Sequence, residues 1–118
     1  MTMGAPDTAE KTRQEKRRAL FVKNLDHPEA PYRWGAAEAL GRMEDPGAVD
    51  ALIPLLRDPD WRVRMKAVWA LGRIGDAKAA PYIHRLARDE SEAVRDMAKE
   101  AMQELLKRRF REHSKDHG

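Results

Sequence analysis

The stretch DPDWRVRMKAVWALGRIGD, residues 58–76, decides the fold of this chain. On a helix of about 3.6 residues per turn, small and branched apolar residues share one side, which is predicted to face the core. These residues are Val63, Ala67, Ala70, Leu71 and Ile74. Trp61, Met65 and Trp69 recur at every fourth position and lie on the far side of the same helix. The helix therefore has a second apolar face, which folding does not require.

The same pattern recurs 31 residues away in both directions. Downstream, the period pairs Arg64 with Arg95 and Asp58 with Asp89. Upstream, it pairs Arg64 with Arg33. Self-similarity at a fixed period of this size indicates a solenoid of stacked helical units.

The composition defines the class of protein. A chain of 118 residues with 42% hydrophobic content forms one small domain. It has no cysteine, which excludes disulfides, thiol catalysis and thiolate zinc sites. No apolar run is long enough to span a membrane, and the N-terminus has no hydrophobic secretory segment. We therefore expect a cytoplasmic protein.

The net charge of +3 conceals a gradient along the chain. Residues 1–23 hold six Lys/Arg against three Asp/Glu, and residues 105–118 hold five against two. The residues between them hold twelve against fifteen. The repeats are therefore mildly acidic, and the excess positive charge lies at the two ends.

Proline, glycine and aspartate place the helix boundaries. We predict outer helices at 8–25, 46–57 and 77–88, with Pro54 bending the second and an interior Pro81 in the third. Inner helices are predicted at 31–43, 61–74 and 92–110. Asp26 precedes Asp58 by 32 residues, so one extra residue is expected near 28–31.

The predicted architecture is an all-α solenoid of three antiparallel helix pairs. Its six helices form one domain at 8–110, with repeats at about 8–43, 46–74 and 77–110. Residues 1–7 are expected to be disordered, and residues 111–118 to form a polar, flexible tail. The charged first helix and the long last helix act as caps, since the ends of a repeat stack must be polar.

The pattern LLRDPDWRVRxxAVWALGRIGD at 55–76 resembles the short HEAT-like repeats first associated with phycobilisome lyases. The resemblance covers about residues 20–106. It implies a ladder between adjacent repeats that joins Asp58 and Asp89 to Arg33, Arg64 and Arg95. We interpret this ladder as structural, because repeat proteins derive their stability from nearest-neighbour interfaces. The resemblance also implies that the inner helices line a concave surface that binds protein partners.

Function is predicted on this concave surface, which carries all three tryptophans. Tryptophan is enriched at the centres of protein interfaces. Burial of the rings against an adjacent helix is the other interpretation, but an exposed apolar patch on a small protein favours a partner. The predicted site contains Trp34, Glu38, Trp61, Arg62, Met65, Lys66, Trp69, Arg73, Asp96 and Glu100. An apolar knob with somewhat basic surroundings, on a helix or short peptide, would fit it.

The sequence offers little support for catalysis. The chain has no Gly-rich phosphate loop, no G-x-S-x-G motif and no His-Glu dipeptide of the kind that HEAT-like hydroxylases carry on their repeats. No recognised metal motif includes any of its histidines, which are His27, His84, His113 and His117. We therefore predict no catalytic residues, no metal and no cofactor.

Three other functions remain open. The basic runs at 11–23 and 107–111 could contact the phosphates of a nucleic acid. The tryptophan patch could bury itself against a second copy to form a homodimer. The resemblance also allows an accessory subunit of a lyase-like complex. A non-catalytic scaffold or adaptor for a protein or peptide partner is the favoured prediction.

Overall fold

A computed structural model describes the backbone of residues 4–117 and the side chains of residues 8–111. This part of the chain forms six α-helices and no strand. The helices are α1 (Gly4–Val22), α2 (Ala30–Met43), α3 (Val49–Leu52), α4 (Trp61–Ile74), α5 (Ala80–Arg85) and α6 (Glu92–His117). The prediction of an all-α solenoid-like fold is confirmed.

The outer helices of the second and third units are short because 3-10 segments flank them. Pro46–Ala48 and Ile53–Arg57 surround α3, while Ala77–Ala79 and Leu86–Arg88 surround α5. Pro54 lies where the α-helix gives way to the second of these segments, since proline has no N–H to continue the ladder. The expectation of an interior Pro81 is wrong. Pro81 is the second residue of α5, where a missing N–H costs nothing.

Helix α4 packs between α2 and α6, and these three form the inner layer. Four residues of its predicted core side, Val63, Ala67, Ala70 and Leu71, are fully buried, and Ile74 is half-buried. Small residues allow the inner helices to come close together. A Cβ added at Gly41 would lie 2.9 Å from the Cα of Ala70, and one at Gly72 would lie 2.9 Å from the Cβ of Ala101. The inner layer is thus held together by direct backbone approach.

An arginine–aspartate ladder joins neighbouring units, as predicted. Arg33 donates from Nε and Nη2 to the two carboxylate oxygens of Asp58, at 2.8 and 3.1 Å. Arg64 donates in the same way to Asp89, at 3.0 and 3.1 Å. Arg64 also donates from Nη1 to the carbonyl of Asp58, at 2.7 Å, so each arginine ties the loop of its own unit to the next. The structural interpretation of the ladder is confirmed.

The prediction of an extra residue in the first unit is wrong. His27, not Asp26, occupies the position of Asp58, with φ −59° and ψ 142° against −60° and 141°. Its Nδ1 accepts the N–H of Glu29 at 3.0 Å, just as Oδ1 of Asp58 accepts the N–H of Asp60 at 2.9 Å. The 31-residue spacing is therefore kept, and a ring nitrogen replaces the carboxylate oxygen that starts the turn.

The first helix begins earlier and the last helix ends later than predicted. Helix α1 begins at Gly4 rather than at residue 8, so only residues 1–3 of the predicted disordered segment lie outside the described backbone. Helix α1 also ends at Val22 rather than at residue 25, and a 3-10 segment, Lys23–Asp26, follows it. Helix α6 continues past Phe110 to His117, through the predicted flexible tail. No glycine or proline lies between Glu92 and His117, so the sequence contains neither of the two strong helix breakers before Gly118.

Candidate binding surface on helices α2, α4 and α6

Helix α4 presents the central part of the predicted site. The side chain of Asp60 caps its N-terminus by accepting the N–H of Arg62, so Trp61 is the first helical residue. Trp61 is 44% exposed, whereas Met65 and Trp69, one and two turns later, are half-buried. The three side chains follow the predicted spacing, but only Trp61 is largely exposed.

Trp34 and Trp69 pack against the hydrophobic core, so the burial interpretation of the tryptophan patch applies to these two rings. A Cβ added at Gly41 would lie only 2.6 Å from Cζ3 of Trp69. The absence of a side chain at Gly41 therefore makes room for the Trp69 ring against α2. Trp69 has a structural role in addition to any role in binding.

Cations lie over two of the three tryptophan rings of this surface, those of Trp34 and Trp69. The guanidinium of Arg62 lies 4.6 Å from the Trp34 ring centroid, and Lys66 and Arg73 each lie 5.7 Å from that of Trp69. Contacts of this kind contribute about 0.5–1 kcal/mol each at exposed sites. These two rings therefore already have cationic neighbours within the protein itself.

The part of the surface between α2 and α4 is neutralised internally. Lys66 of α4 donates to Glu38 of α2 at 2.8 Å, and Arg42 lies 3.7 Å from the same carboxylate. The hydrogen bond from Lys66 holds the pKa of Glu38 below its ordinary value. Arg62 bonds to both oxygens of Asp60 and lowers the pKa of that carboxyl to about 2. This half of the surface has few charges left for a partner.

The part of the surface on α6 is different, because its acidic residues are not neutralised. Glu92, Asp96, Glu100 and Glu104 follow one another at successive turns of the helix, and all four are exposed. The first three have no ion pair among the described side chains, and Glu104 has only a 3.9 Å contact with Lys107. We call these four residues the acidic stripe.

A groove of about 340 Å³ lies between α4 and the acidic stripe. Trp69 and Met97 supply its large apolar side chains, and Glu100 and Glu104 form one wall. Arg108 also lines the groove and donates to the carbonyl oxygens of Arg73, at 2.8 Å, and Ile74, at 3.4 Å. The remaining lining residues are Glu44, Gly72, Arg73 and Ala101. The groove thus combines two large apolar side chains with an acidic wall, and two arginines also line it.

The structure divides the predicted site residues among three places. Trp69, Arg73 and Glu100 line the groove. The α2–α4 contacts involve Trp34, Glu38, Arg62 and Lys66. Outside both lie Trp61, Met65 and Asp96.

The sequence prediction missed Met97, Glu104, Arg108 and Glu44 as groove residues. The 31-residue register aligns Met97 with Lys66 and Glu104 with Arg73. Because Lys66 and Arg73 were predicted site residues, the repeat could have been used to predict Met97 and Glu104 as well. Arg108 reaches the groove from beyond the last matching position, and no repeat precedent marks it.

The basic ends considered for nucleic-acid binding are partly engaged elsewhere. Arg18 bonds to Asp45, and Arg108 bonds to the end of α4. Lys11, Arg13 and Arg17 remain exposed on α1. Among the described side chains, no three histidine, aspartate or glutamate residues converge as a metal site. No helix in the described part of the chain has the length and apolar character needed to cross a membrane.

A fixed 31-residue period, paired layers and a ladder between units define a helical repeat protein. The family model for HEAT repeats matches residues 18–103, and the chain belongs to this family. HEAT repeats generally mediate protein interactions.

Among solved structures, the chain is similar to human deoxyhypusine hydroxylase in complex with glycerol, at 26% identity and a TM-score of 0.71. The match covers 82% of this chain and 34% of the hydroxylase, so the chain spans about a third of its length. No curated protein matches the chain.

Proposed function

We propose that this chain is a non-catalytic scaffold or adaptor that binds a basic protein segment in the groove between α4 and α6. The observation that carries the proposal is the acidic wall of that groove beside Trp69 and Met97. Such a site accepts an apolar side chain flanked by lysine or arginine, on a helix or a short peptide.

The acidic stripe supports the choice of a basic partner. Like charges one helical turn apart destabilise each other by a few tenths of a kcal/mol per pair, about 0.2–0.5. Glu92, Asp96 and Glu100 repel in this way, and none of the three forms an ion pair with another described side chain. A basic partner would relieve that repulsion and would be attracted over a distance before contact.

The apolar side chains of the groove support the choice of an apolar anchor. Trp69 is half-buried and therefore rigid, while Met97 is an unbranched thioether that adapts to the shape of a ligand. Interface energy is concentrated in a few anchors of this kind, where truncation often costs about 2 kcal/mol or more.

Three finer assignments belong to the same proposal. The pattern at 55–76 supports the short, phycobilisome-lyase-type class of HEAT-like repeats, and with it the alternative of an accessory subunit in a lyase-like complex. The missing His-Glu dipeptide supports a chain without hydroxylase activity. A cytoplasmic location is the third of these assignments.

The test is affinity capture from the lysate of the source organism, with nuclease-treated and untreated samples in parallel. The bait is wild-type protein, a Glu100→Lys/Glu104→Lys variant, or a Glu15→Lys control that changes an exposed acid on α1. Each bait is first checked for a cooperative melt. We expect a protein that wild type and the control retain, that the double variant loses, and that nuclease does not release.

Two results would replace this function. Release by nuclease, together with loss of capture after Lys11→Ala/Arg13→Ala/Arg17→Ala, would assign nucleic-acid binding to α1. Recovery of the chain's own second copy as the sole partner, confirmed by a doubled mass in light scattering, would assign self-association.

A further inference from the structure

The arginine–aspartate ladder ends in an arginine without a carboxylate. Arg95 has the register of Arg33 and Arg64, and its Nη1 donates to the carbonyl of Asp89 at 2.7 Å, as theirs do to their own loops. Its Nε and Nη2 have no acceptor among the described side chains. In the two preceding units, these same two nitrogens hold an aspartate. The half-buried guanidinium of Arg95 is therefore anchored on one side and available on the other.

A second groove, of about 300 Å³, runs between α5 and α6 close to Arg95 in sequence. Ile83, Ala87, Ala98 and Met102 make it largely apolar. Lys99, one turn after Arg95, adds an exposed cation beside it. Arg95 and Lys99 thus supply two cations at a surface separate from the groove beside the acidic stripe.

A further repeat does not fit this end in the geometry of the other units. The positions of the buried Ala37 and Val68 are taken by Lys99, and those of Gly41 and Gly72 by Gln103. Because Gly72 already leaves no room for a Cβ against Ala101, a glutamine in its place keeps a neighbouring helix away. The occupant is therefore not a helix packed as closely as those of the inner layer, and an extended segment fits this end better.

A second copy of this chain does not complete the ladder head to tail. The ladder position at the other end is His27, which stacks on Tyr32 with ring centroids 4.1 Å apart. An imidazole offers no pair of oxygens to a guanidinium fork, so the partner carboxylate has to come from elsewhere.

We propose that Arg95 and the groove between α5 and α6 bind an acidic, extended peptide segment of another protein. A carboxylate of the segment takes two hydrogen bonds from Nε and Nη2 of Arg95, as Asp58 and Asp89 do within the chain. A second acid of the segment lies near Lys99. An apolar side chain next to the carboxylate enters the groove between Ile83 and Met102.

The test is an NMR titration of the isotope-labelled full chain with the acetylated, amidated peptide Asp-Pro-Asp-Leu, and with the matched peptide Asn-Pro-Asn-Leu. The readouts are the Nε–Hε resonance of Arg95 and the methyl resonance of Met102. We expect both to shift with the aspartate peptide only. The substitution Arg95→Lys keeps the charge but loses the fork, so it should weaken binding about tenfold or more. Arg88→Lys, an exposed arginine, is the control and should bind like wild type.

Three results would overturn this proposal. Equal binding of the asparagine peptide would show that binding does not depend on a carboxylate. If Arg95→Lys and Arg88→Lys weakened binding of the aspartate peptide equally, with unchanged melting of both variants, the binding would be general charge attraction. A dimer of the wild type that Arg95→Lys disrupts would make the second copy the occupant. Trp69→Ala should leave the titration unchanged, so failure here and failure of the proposed function are distinguishable.

Discussion

Arg18 of α1 donates two hydrogen bonds to the carboxylate of Asp45, from Nε at 2.7 Å and from Nη2 at 3.1 Å. Asp45 is only 1% exposed and also accepts the N–H of Gly47 at the start of the second unit. Burial alone would raise the pKa of Asp45, but the bonds from Arg18 and Gly47 hold it below its ordinary value. One carboxylate thus joins the first helix to the rest of the stack.

Arg18→Ala should lower the free energy of unfolding by about 2–3 kcal/mol, since it leaves a buried carboxylate without its cation. The value is set below the range for fully buried pairs because the Arg18 side chain is 28% exposed. Arg17→Ala, its exposed neighbour, should change stability by less than about 0.5 kcal/mol. Urea unfolding measures both, and equal effects would contradict a specific role for Arg18.

Gly72→Ala and Gly35→Ala should have opposite effects on stability. At Gly72 a methyl group would lie 2.9 Å from the Cβ and 3.1 Å from the Cα of Ala101, which forces α4 and α6 apart at a cost of about 1–3 kcal/mol. At Gly35, inside α2, nothing lies within 4 Å. Alanine there should stabilise by about 0.5–1 kcal/mol through helix propensity alone. Thermal and urea unfolding of the two variants would show whether the inner helices pack as closely as described.

Trp69→Ala should lower the free energy of unfolding more than Trp61→Ala, because the Trp69 ring is packed and the Trp61 ring is largely exposed. Removing the half-buried Trp69 ring leaves a space above Gly41 and should cost about 2–3 kcal/mol. Removing Trp61, which is 44% exposed, should cost less than about 1 kcal/mol. Similar losses in a urea titration would place both rings in the same environment and contradict the difference in burial.

Stability should fall as the pH falls from about 5 toward 2. The pKa of Asp60 is about 2 in the folded state against an ordinary 3.8, so folding favours its ionised form and the unfolded chain binds more protons in this range. The contribution is complete above the ordinary pKa and is lost as the pH falls through the folded one. Asp45 and Glu38 have pKa values lowered in the same direction.

Asp60→Asn should therefore make the acid limb of the stability–pH profile less steep. Asp26→Asn, at an exposed aspartate after α1, is the matched control and should leave that slope as in wild type. Urea midpoints at half-unit pH steps measure both profiles. An unchanged slope in Asp60→Asn would contradict the assigned role of Arg62.

Repetition explains most of what the sequence could predict. Arg33, Arg64 and the core residues around Leu71 recur at 31 residues. The pattern of the helix at 61–74 was therefore enough to predict the inner and outer layers, the core side of each inner helix and the ladder. The first unit was harder to predict, because the residue type alone suggested the wrong position for the ladder residue in its loop. Asp26 looked like the ladder aspartate, whereas the backbone angles assign that position to His27.

Features that lie outside the repeat could not be foreseen in the same way. In the 31-residue register Arg18 aligns with Val49 and Ala80, whose apolar side chains cannot form an ion pair like the one between Arg18 and Asp45. The burial of Trp69 depends on which way its ring turns and on the missing side chain at Gly41. Spacing placed Trp69 on the correct face, but spacing does not report a rotamer.

The ladder has a consequence for how this chain tolerates insertions and deletions. Arg33 and Arg64 each bond to a carboxylate 25 residues later, and the loops at positions 27, 58 and 89 share one backbone conformation. Duplicating one 31-residue block would bring a new arginine and a new aspartate already in register. Adding or removing a few residues between partners would carry a guanidinium away from its carboxylate. Array length is thus expected to change in whole blocks, as genetic duplication would supply them.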